Sequence, residues 1–334
     1  MRKDKKIVFS GMQATGEPHI GNYLGAIRHW VSMQQEDNAC LYCIVDLHSL
    51  TVRQNPEELR ANARKLLALY IALGIDPVKH IIYYQSHVSG HAELAWILNC
   101  FTYVGELNRM TQYKDKAQKN ADNINAGLYA YPVLMAADVL LYGTDVVPVG
   151  DDQKQHMEIC RDVAVRFNQV YGEIFTVPEP YISRIGARIM GLQDPVKKMS
   201  KSESENANNL VFLLDEKTTI LNKFKRAVTD SGGDVSFDPA NKPGVSNLLT
   251  IYACTVNKAI GECEKDFYGM GYGAFKAGVG EAVADMLKPF RENYAKLSAD
   301  GAYLDGIIKS NALRAGELAA TTLNKVKEAV GLPR

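Results

Sequence analysis

The sequence has no long hydrophobic run and no excess of charge of one sign. Nothing in it approaches the roughly 18 apolar residues of a membrane-spanning helix, and only three apolar residues follow the basic start, residues 1–6, which excludes a secretory signal. Basic and acidic residues number 38 each in 334, so any binding to nucleic acid needs local patches. We therefore expect a soluble, cytoplasmic protein with no membrane or DNA partner.

The sequence also lacks a cysteine framework. Of its six cysteines only Cys40 and Cys43 are close together, and they lie in an apolar run without a second pair or nearby histidines. A metal site would need such further ligands, so we predict that these thiols pack in a strand and expect no metal site. Reduced thiols are typical of the cytosol.

Short apolar runs alternate with amphipathic helical patterns in the first half. Lys6–Phe9, Cys40–Asp46, His80–Gln85 and Asp145–Val149 predict strands, and residues 93–142 and 151–170 predict helices. Strands alternating with helices indicate a parallel sheet with right-handed crossovers. The predicted fold class is therefore α/β, with a Rossmann-like parallel sheet.

The pattern weakens into a loop over residues 178–209, and strands are no longer predicted beyond Leu210. Residues 215–226, 245–256, 275–297 and 303–330 have helical periodicity, which indicates an all-helical second domain. We predict domains 1–205 and 206–334. The sequence leaves open whether the last helix packs back on the first domain.

A first motif, Pro18-His19-Ile20-Gly21-Asn22, begins a helix after the first strand and a glycine-bearing loop. A helix N-terminus offers free N–H groups and partial positive charge to a phosphate, and Gly21 leaves room for a flat ring. The dinucleotide and P-loop motifs, G-x-G-x-x-G and G-K-[ST], are both missing here. An ordinary capped helix with a surface histidine is the alternative.

A second motif, Lys198-Met199-Ser200-Lys201-Ser202, lies in the polar loop. Its lysines and hydroxyls suit the charged end of a triphosphate, where they would stabilise charge that develops in a transition state. A lysine-rich loop is also a common solvated face. Because both motifs occur in this order on this fold pattern, we predict a nucleoside triphosphate site.

The two motifs together resemble the two signatures of the class I aminoacyl-tRNA synthetases. Five further stretches resemble the bacterial tryptophanyl-tRNA synthetases: residues 46–48, 105–116, 131–138, 147–156 and 227–231. The resemblance runs from about Ile7 to the C-terminal helices. The sequence departs from the family pattern at Asn22, where many class I enzymes have histidine, and at Ala14, Thr15 and Asp151.

This resemblance implies a ligase that couples L-tryptophan to ATP and then charges tRNA(Trp). It implies ATP as a substrate, Mg²⁺ carried with ATP, a homodimer, and an anticodon-binding role for the helical domain. The implied catalytic residues are Gln13, His19, Asn22, Lys116, Lys198 and Lys201. The implied ATP-binding residues are Gln13, Gly21, Asn22, Asp152, Lys198, Met199, Ser200, Lys201 and Ser202.

The resemblance also implies a tryptophan pocket formed by Phe9, His48, Tyr131, Met135, Asp138, Val147, Val149 and Gln153. Indole is apolar except for one N–H, which only donates, and Asp138 matches the family's acceptor for it. Asp138 lies in the apolar stretch from Leu134 to Leu141, which predicts burial rather than an exposed helix position.

Two other functions stay open on the sequence. One is a tyrosyl-tRNA synthetase, which shares the fold and both signatures, and the other is a catalytically silent RNA-binding homologue. We interpret the remaining histidines, including His91 and His156, as structural or surface residues. Lys223, Lys225 and Arg226 are either contacts for tRNA phosphates or a solvated face.

Overall fold

A five-stranded parallel sheet organises the first part of the chain. The computed structural model describes residues 5–114, 124–182, 188–200 and 208–333. The strand order is β3-β2-β1-β4-β5, and every neighbouring pair is parallel. The strands are β1 (Ile7–Met12), β2 (Ala39–Ile44), β3 (Ile81–Tyr84), β4 (Val146–Pro148) and β5 (Glu179–Tyr181).

The helices lie between the strands and, after β5, follow one another. They are α1 (Ile20–Asn22), α2 (Arg28–Met33), α3 (Asp46–Ser49), α4 (Pro56–Ala72), α5 (Gly90–Asn99), α6 (Val104–Asn108), α7 (Ala126–Leu140), α8 (Lys154–Tyr171), α9 (Lys217–Lys225), α10 (Pro243–Val256), α11 (Ile260–Asp266), α12 (Tyr272–Ala299) and α13 (Gly301–Ala329). Between α1 and α2 the chain forms a π-helical segment, Tyr23–Ile27.

The predicted α/β fold with a helical C-terminal region is confirmed, and two details of the prediction are wrong. The predicted loop over residues 178–209 contains the edge strand β5. The long helical stretch over residues 93–142 is several helices, with α5, α6 and α7 in its described part. Residues 115–123 lie outside the described chain.

The chain forms two compact units. Unit 1 comprises residues 1–15, 30–183 and 300–334, and unit 2 comprises residues 16–29 and 184–299. These units are discontinuous in sequence, unlike the predicted domains 1–205 and 206–334, which stay a prediction.

Unit 1 has its core on the sheet, and its last helix is part of that core. Ala315, Ala319, Leu323 and Val326 of α13 are buried with residues of the sheet and of α5. Polar contacts fix the same helix, because the Asn311 amide donates to the Pro77 carbonyl at 3.1 Å. α13 therefore belongs structurally to the sheet-bearing unit.

Unit 2 is a cluster of helices in which α9 lies close to α12. A Cβ at Gly280 of α12 would lie 3.2 Å from Leu221 Cδ2 and 3.3 Å from Phe224 Cβ. Arg28 donates to the Cys254 carbonyl and to the Asn257 side chain at the C-terminal end of α10. A guanidinium at that position complements the helix dipole.

Cys40 and Cys43 are buried in β2, in the strand packing that was predicted. Burial raises the pKa of the Cys40 thiol to about 11 and that of Cys43 well above its ordinary value, so both stay protonated and unreactive. Among the described residues, no group of three His, Cys, Asp or Glu side chains is placed to hold a metal ion. None of the described helices combines the length and the apolar composition that a membrane-spanning segment needs.

Candidate active site

Polar side chains in unit 1 follow three neighbouring strands at their carboxyl ends. Gln13 comes directly after β1, His48 lies in α3 just beyond β2, and Gln85 comes directly after β3. The Gln13 amide donates to the His48 carbonyl at 3.4 Å. Open parallel sheets bind ligands at this edge, so the sheet places these groups where a substrate site is expected.

Asp138 of α7 is the centre of this polar group. Its side chain is 2% exposed, which agrees with the predicted burial. Its Oδ2 lies 2.9 Å from His48 Nε2, and its Oδ1 lies 2.6 Å from Gln85 Nε2 and 2.7 Å from His91 Nδ1. Burial alone would raise the pKa of Asp138, but the hydrogen bonds from His48 and His91 outweigh it and hold that pKa below its ordinary value. The carboxylate is therefore ionised at neutral pH.

His91 and Gln85 are site residues that the sequence reasoning missed. Interpreting His91 as merely structural or surface overlooked its contact with Asp138, because 47 residues separate the two. For Gln85 a signal existed, since it follows β3 directly, as Gln13 follows β1. No comparable pattern marks His91.

Tyr131 of α7 links a second group of polar side chains. Its hydroxyl lies 2.8 Å from His156 Nε2 and donates to Gln112 Oε1 at 3.4 Å. The ring of His48 lies edge-on to the Tyr131 ring, with 6.2 Å between centroids. Burial raises the pKa of Tyr131, so its hydroxyl keeps its proton. His156, also interpreted as structural or surface, is a buried partner of Tyr131.

Asp152 and Gln153 continue this group beyond β4. The Gln112 amide donates to the Asp152 carbonyl at 2.7 Å, and the Gln153 amide donates to Asp152 Oδ2 at 2.9 Å. Gln112 therefore connects Tyr131 to the turn that holds Asp152, predicted to bind ATP, and Gln153, predicted to bind tryptophan.

The predicted apolar wall residues share one hydrophobic core with the helix that holds Asp138. Phe9 and Val147 are buried, and Met135 and Val149 pack against the same core. The ring of Phe9 stacks on Tyr142, with 6.0 Å between centroids. A buried carboxylate beside apolar walls suits a ligand with a single N–H donor.

In unit 2 the first motif caps its own helix. The Gly21 N–H donates to His19 Nδ1 at 3.1 Å, and the His19 N–H donates to Asn22 Oδ1 at 3.0 Å. Because Nδ1 accepts a hydrogen bond, the proton of the neutral ring is on Nε2. His19 is 3% exposed, so the alternative of a surface histidine is wrong.

An antiparallel bridge attaches this motif to residues 211–213. His19 pairs with Phe212, the Ile20 N–H donates to the Val211 carbonyl at 2.9 Å, and the Leu213 N–H donates to the Pro18 carbonyl at 3.0 Å. The first turn of the motif is thereby fixed by backbone contacts within unit 2.

The described part of the second motif lies near the first. A Cβ at Gly21 would lie 3.6 Å from Ile189 Cβ, and the Ile189 carbonyl accepts from the Met199 N–H at 3.0 Å. Met199 is buried and anchors the segment, while Lys198 is exposed. Lys116, Lys201 and Ser202 lie outside the described residues. The two motifs, far apart in sequence, thus meet in one unit.

Lys223 is not on a solvated face. It is 5% exposed, and its Nζ donates to Asp215 Oδ2 at 2.6 Å. The same carboxylate oxygen accepts from the Phe212 N–H at 2.8 Å. Both interpretations of Lys223 made on the sequence are therefore wrong, because its charge is used inside unit 2 and supports the segment that pairs with His19.

The parallel sheet with polar groups at its carboxyl edge defines a Rossmann-like ligand-binding protein. The family of class I tRNA synthetases (W and Y) matches residues 1–288, and the chain belongs to this family. It is therefore an aminoacyl-tRNA synthetase, which is an enzyme.

Three relatives give the degree of similarity. A tryptophan–tRNA ligase of Clostridium tetani (strain Massachusetts / E88) is 51% identical over 331 residues, which cover 99% of this chain and 97% of the relative. The crystal structure of tryptophanyl-tRNA synthetase from Mycoplasma pneumoniae is 32% identical, with a TM-score of 0.90 over 98% of each chain. That from Campylobacter jejuni, complexed with ADP and tryptophan, is 36% identical, with a TM-score of 0.82 over 98% of this chain and 100% of that one.

Proposed function

We propose that this chain is a tryptophan–tRNA ligase, which activates L-tryptophan with ATP and then transfers it to tRNA(Trp). The 51% identical relative has this activity in its name. The observation in the molecule that carries the proposal is the buried, ionised carboxylate of Asp138 at the carboxyl edge of the sheet.

Selection of tryptophan follows from that carboxylate. The indole N–H donates to Asp138, and Phe9, Met135, Val147 and Val149 supply the apolar walls. A site built to bond a donor rejects a ligand without one by roughly 10⁴-fold, so phenylalanine is excluded without editing. His48, Tyr131 and Gln153 bind the rest of the amino acid.

Activation joins a carboxylate oxygen of tryptophan to the α-phosphorus of ATP, while the bond from that phosphorus to the pyrophosphate oxygen breaks. The chain positions the reactants and stabilises the charge that spreads over the phosphates. The His19 Nε2–H donates to a phosphate oxygen, Gly21 lies under adenine, and Lys198 and Lys201 bind the departing pyrophosphate. Supporting ATP contacts come from Gln13, Asn22, Lys116, Asp152, Met199, Ser200 and Ser202.

Mg²⁺ accompanies ATP, since this ion binds phosphate oxygens and water in preference to an all-protein cage. It neutralises phosphate charge when bound. In the second step a ribose hydroxyl of the terminal tRNA nucleotide attacks the tryptophanyl carbonyl carbon, and AMP leaves. The helical part, 206–334, binds the anticodon, and the exposed Lys225 and Arg226 of this part are available to tRNA phosphates.

The enzyme acts as a homodimer in the cytoplasm. Trp96 is 74% exposed, and Tyr103 and Val104 nearby in sequence are also exposed, an apolar surface that a second copy would cover. All six cysteines are free, which suits a reducing compartment. Sedimentation velocity tests the dimer, because a 36.9 kDa species contradicts it and one of twice that mass supports it.

Amino-acid-dependent ATP–pyrophosphate exchange tests the function directly. We expect exchange with tryptophan and background rates with the other nineteen amino acids. Exchange with tyrosine alone would establish the tyrosyl alternative. Binding of tRNA(Trp) with no exchange for any amino acid would establish the silent RNA-binding homologue.

A further inference from the structure

Three donors from three different parts of unit 1 hold the Asp138 carboxylate. His48 Nε2 bonds Oδ2, while Gln85 Nε2 and His91 Nδ1 both bond Oδ1. The proposed function uses Asp138 and His48 but gives no part to His91. His91 nevertheless is 0% exposed and donates one of the two hydrogen bonds that Asp138 Oδ1 accepts from the described residues.

The contacts of His91 determine which of its nitrogens carries the proton. A carboxylate only accepts, so Nδ1, at 2.7 Å from Asp138 Oδ1, is the donor. On the other side of the ring, Nε2 lies 2.8 Å from the Tyr142 hydroxyl and 3.1 Å from the Tyr83 hydroxyl. Burial raises the pKa of both tyrosines. They therefore stay protonated, and a tyrosine hydroxyl donates to Nε2.

This arrangement fixes the tautomer of His91 and the plane of the Asp138 carboxylate. An ionised carboxylate has about four acceptor positions, and three donors among the described residues occupy three of them. The remaining acceptor position of the Asp138 carboxylate points in a defined direction only while the carboxylate cannot rotate. Removing the His91 donor leaves Oδ1 with Gln85 alone.

We infer that His91 is a positioning residue for tryptophan: through its Nδ1–H it holds Asp138 in the orientation that accepts the indole N–H. This inference rests on the proposed function. His91 thereby helps to select a ring that has an N–H, although it does not touch the substrate. The hydrogen bonds from Tyr142 to His91 and from His91 to Asp138 are then part of the specificity of the enzyme.

The test compares L-tryptophan with β-(benzothiophen-3-yl)-L-alanine, which has the same shape with sulfur in place of the N–H. Both are measured by pyrophosphate exchange in His91→Gln and His91→Asn. An asparagine amide lies near the position of Nδ1 and keeps the donor to Asp138. A glutamine amide reaches instead to the position of Nε2 and loses it.

We expect His91→Gln to lower kcat/KM for tryptophan by about ten- to a hundredfold, the effect of losing a hydrogen bond to a charged group. The same variant should change kcat/KM for the sulfur analogue by less than about threefold and leave KM for ATP unchanged. His91→Asn should keep most of the tryptophan preference. Equal losses for both substrates in a folded His91→Gln protein, or a folded His91→Asn protein without the preference, would overturn the inference.

Two controls separate this inference from the proposed function. Asp138→Ala, which removes the acceptor, should abolish the preference for tryptophan over the analogue; if a folded Asp138→Ala protein keeps it, the role of Asp138 fails and the inference fails with it. If Asp138→Ala abolishes the preference while His91→Gln keeps it, only the inference fails. His80→Asn, at another buried histidine that lies before β3, should leave the preference unchanged.

If His91→Gln does not fold, Tyr142→Phe replaces it. That change removes the nearer hydroxyl donor to His91 Nε2 and leaves Asp138 untouched. It should lower kcat/KM for tryptophan more than for the analogue. An unaltered ratio of the two values would count against the inference.

Discussion

The ring of His19 lies so close to position 21 that this position needs glycine. A Cβ at Gly21 would lie 3.0 Å from both Cε1 and Nδ1 of that ring, which is closer than side chains normally approach. The same ring accepts the Gly21 N–H at 3.1 Å. Glycine is needed here for the close approach of the imidazole rather than for an unusual backbone angle.

We therefore expect Gly21→Ala to displace the His19 ring and weaken ATP binding. The kcat/KM for ATP should fall by about ten- to a hundredfold, the effect of losing or misdirecting one hydrogen bond to a charged group. Pyrophosphate exchange at varied ATP and varied tryptophan measures it, and KM for tryptophan should change little. Gly316→Ala on α13, where a Cβ meets nothing within 4 Å, is the matched control. Wild-type kinetics in Gly21→Ala would remove His19 from the phosphate site.

For single residues, the sequence predicts which side chains are buried better than it predicts their hydrogen-bond partners. The apolar stretch around Asp138 predicted that the carboxylate is buried, and the structure confirms it. The donors to that carboxylate are 90, 53 and 47 residues away along the chain. Nothing local at His91 marks such a contact, because it depends on how α5 packs against α7.

Among the elements, the segment from Phe212 to α9 is held by a buried ion pair. The Lys223 and Asp215 side chains are 7% and 13% exposed, and the Lys223 ammonium also lies 4.8 Å from the Phe212 ring centroid. This pair supports the backbone that bridges to His19. A change in α9 therefore reaches the first motif, Pro18–Asn22.

Lys223→Met should destabilise the protein by about 3 kcal/mol or more, since removing one partner leaves a buried charge uncompensated. Urea unfolding measures the loss, and Asp215→Asn added to Lys223→Met should recover much of it. Lys225→Met, at an exposed position of the same helix, should stay within about 0.5 kcal/mol of wild type. Equal, small effects of Lys223→Met and Lys225→Met would contradict the role of the pair.

Two glycines in helices differ in what surrounds them. A Cβ at Gly244, in the first turn of α10, would lie 2.1 Å from the Val228 carbonyl oxygen. That neighbour is backbone and cannot turn aside. At Gly306 in α13 nothing lies within 4 Å, so alanine meets no obstacle there.

Gly244→Ala is accordingly expected to destabilise the chain by about 2 kcal/mol or more. Gly306→Ala should stabilise it by about 0.5–1 kcal/mol, because alanine is the better helix former. Thermal and urea unfolding of the two variants side by side give the comparison. A shift in the same direction for both would show that the contact at Val228 does not matter.

The elements that the sequence predicted are those with enough residues to show a pattern. β1 to β4 follow from short apolar runs, and the long helices α10, α12 and α13 follow from helical periodicity. β5 has the sequence Glu179-Pro180-Tyr181, which has a proline, no buried residue and a place at the edge of the sheet. Proline is tolerated at such an edge, but nothing in three such residues predicts a strand. The seven-residue helix α11 is likewise not predictable from its sequence, because it buries only Cys263.

At the scale of the whole molecule, the effect of a truncation depends on the unit to which α13 belongs. This helix follows the helices of unit 2 in sequence, yet it buries Ala315, Ala319, Leu323 and Val326 in the core of unit 1. The Arg314 guanidinium also donates to the His80 carbonyl at 3.2 Å, just before β3.

A chain that ends at Asp300 should lose tryptophan binding and its cooperative unfolding transition, and not only contacts with tRNA. Equilibrium dialysis with tryptophan and thermal unfolding test this expectation. A chain that ends at Val330 keeps α13 and serves as the control, with wild-type behaviour expected. Wild-type tryptophan affinity in the chain that ends at Asp300 would show that α13 is dispensable for unit 1.

The position of α13 also sets an order for biosynthesis. β1 is made long before α13, so the sheet stays incompletely covered until α13 has been made. During that interval its apolar surface is exposed to chaperones and to other nascent chains. A ribosome that stalls within the codons of α13 would release an unstable unit 1, even though the residues of the candidate active site had all been made.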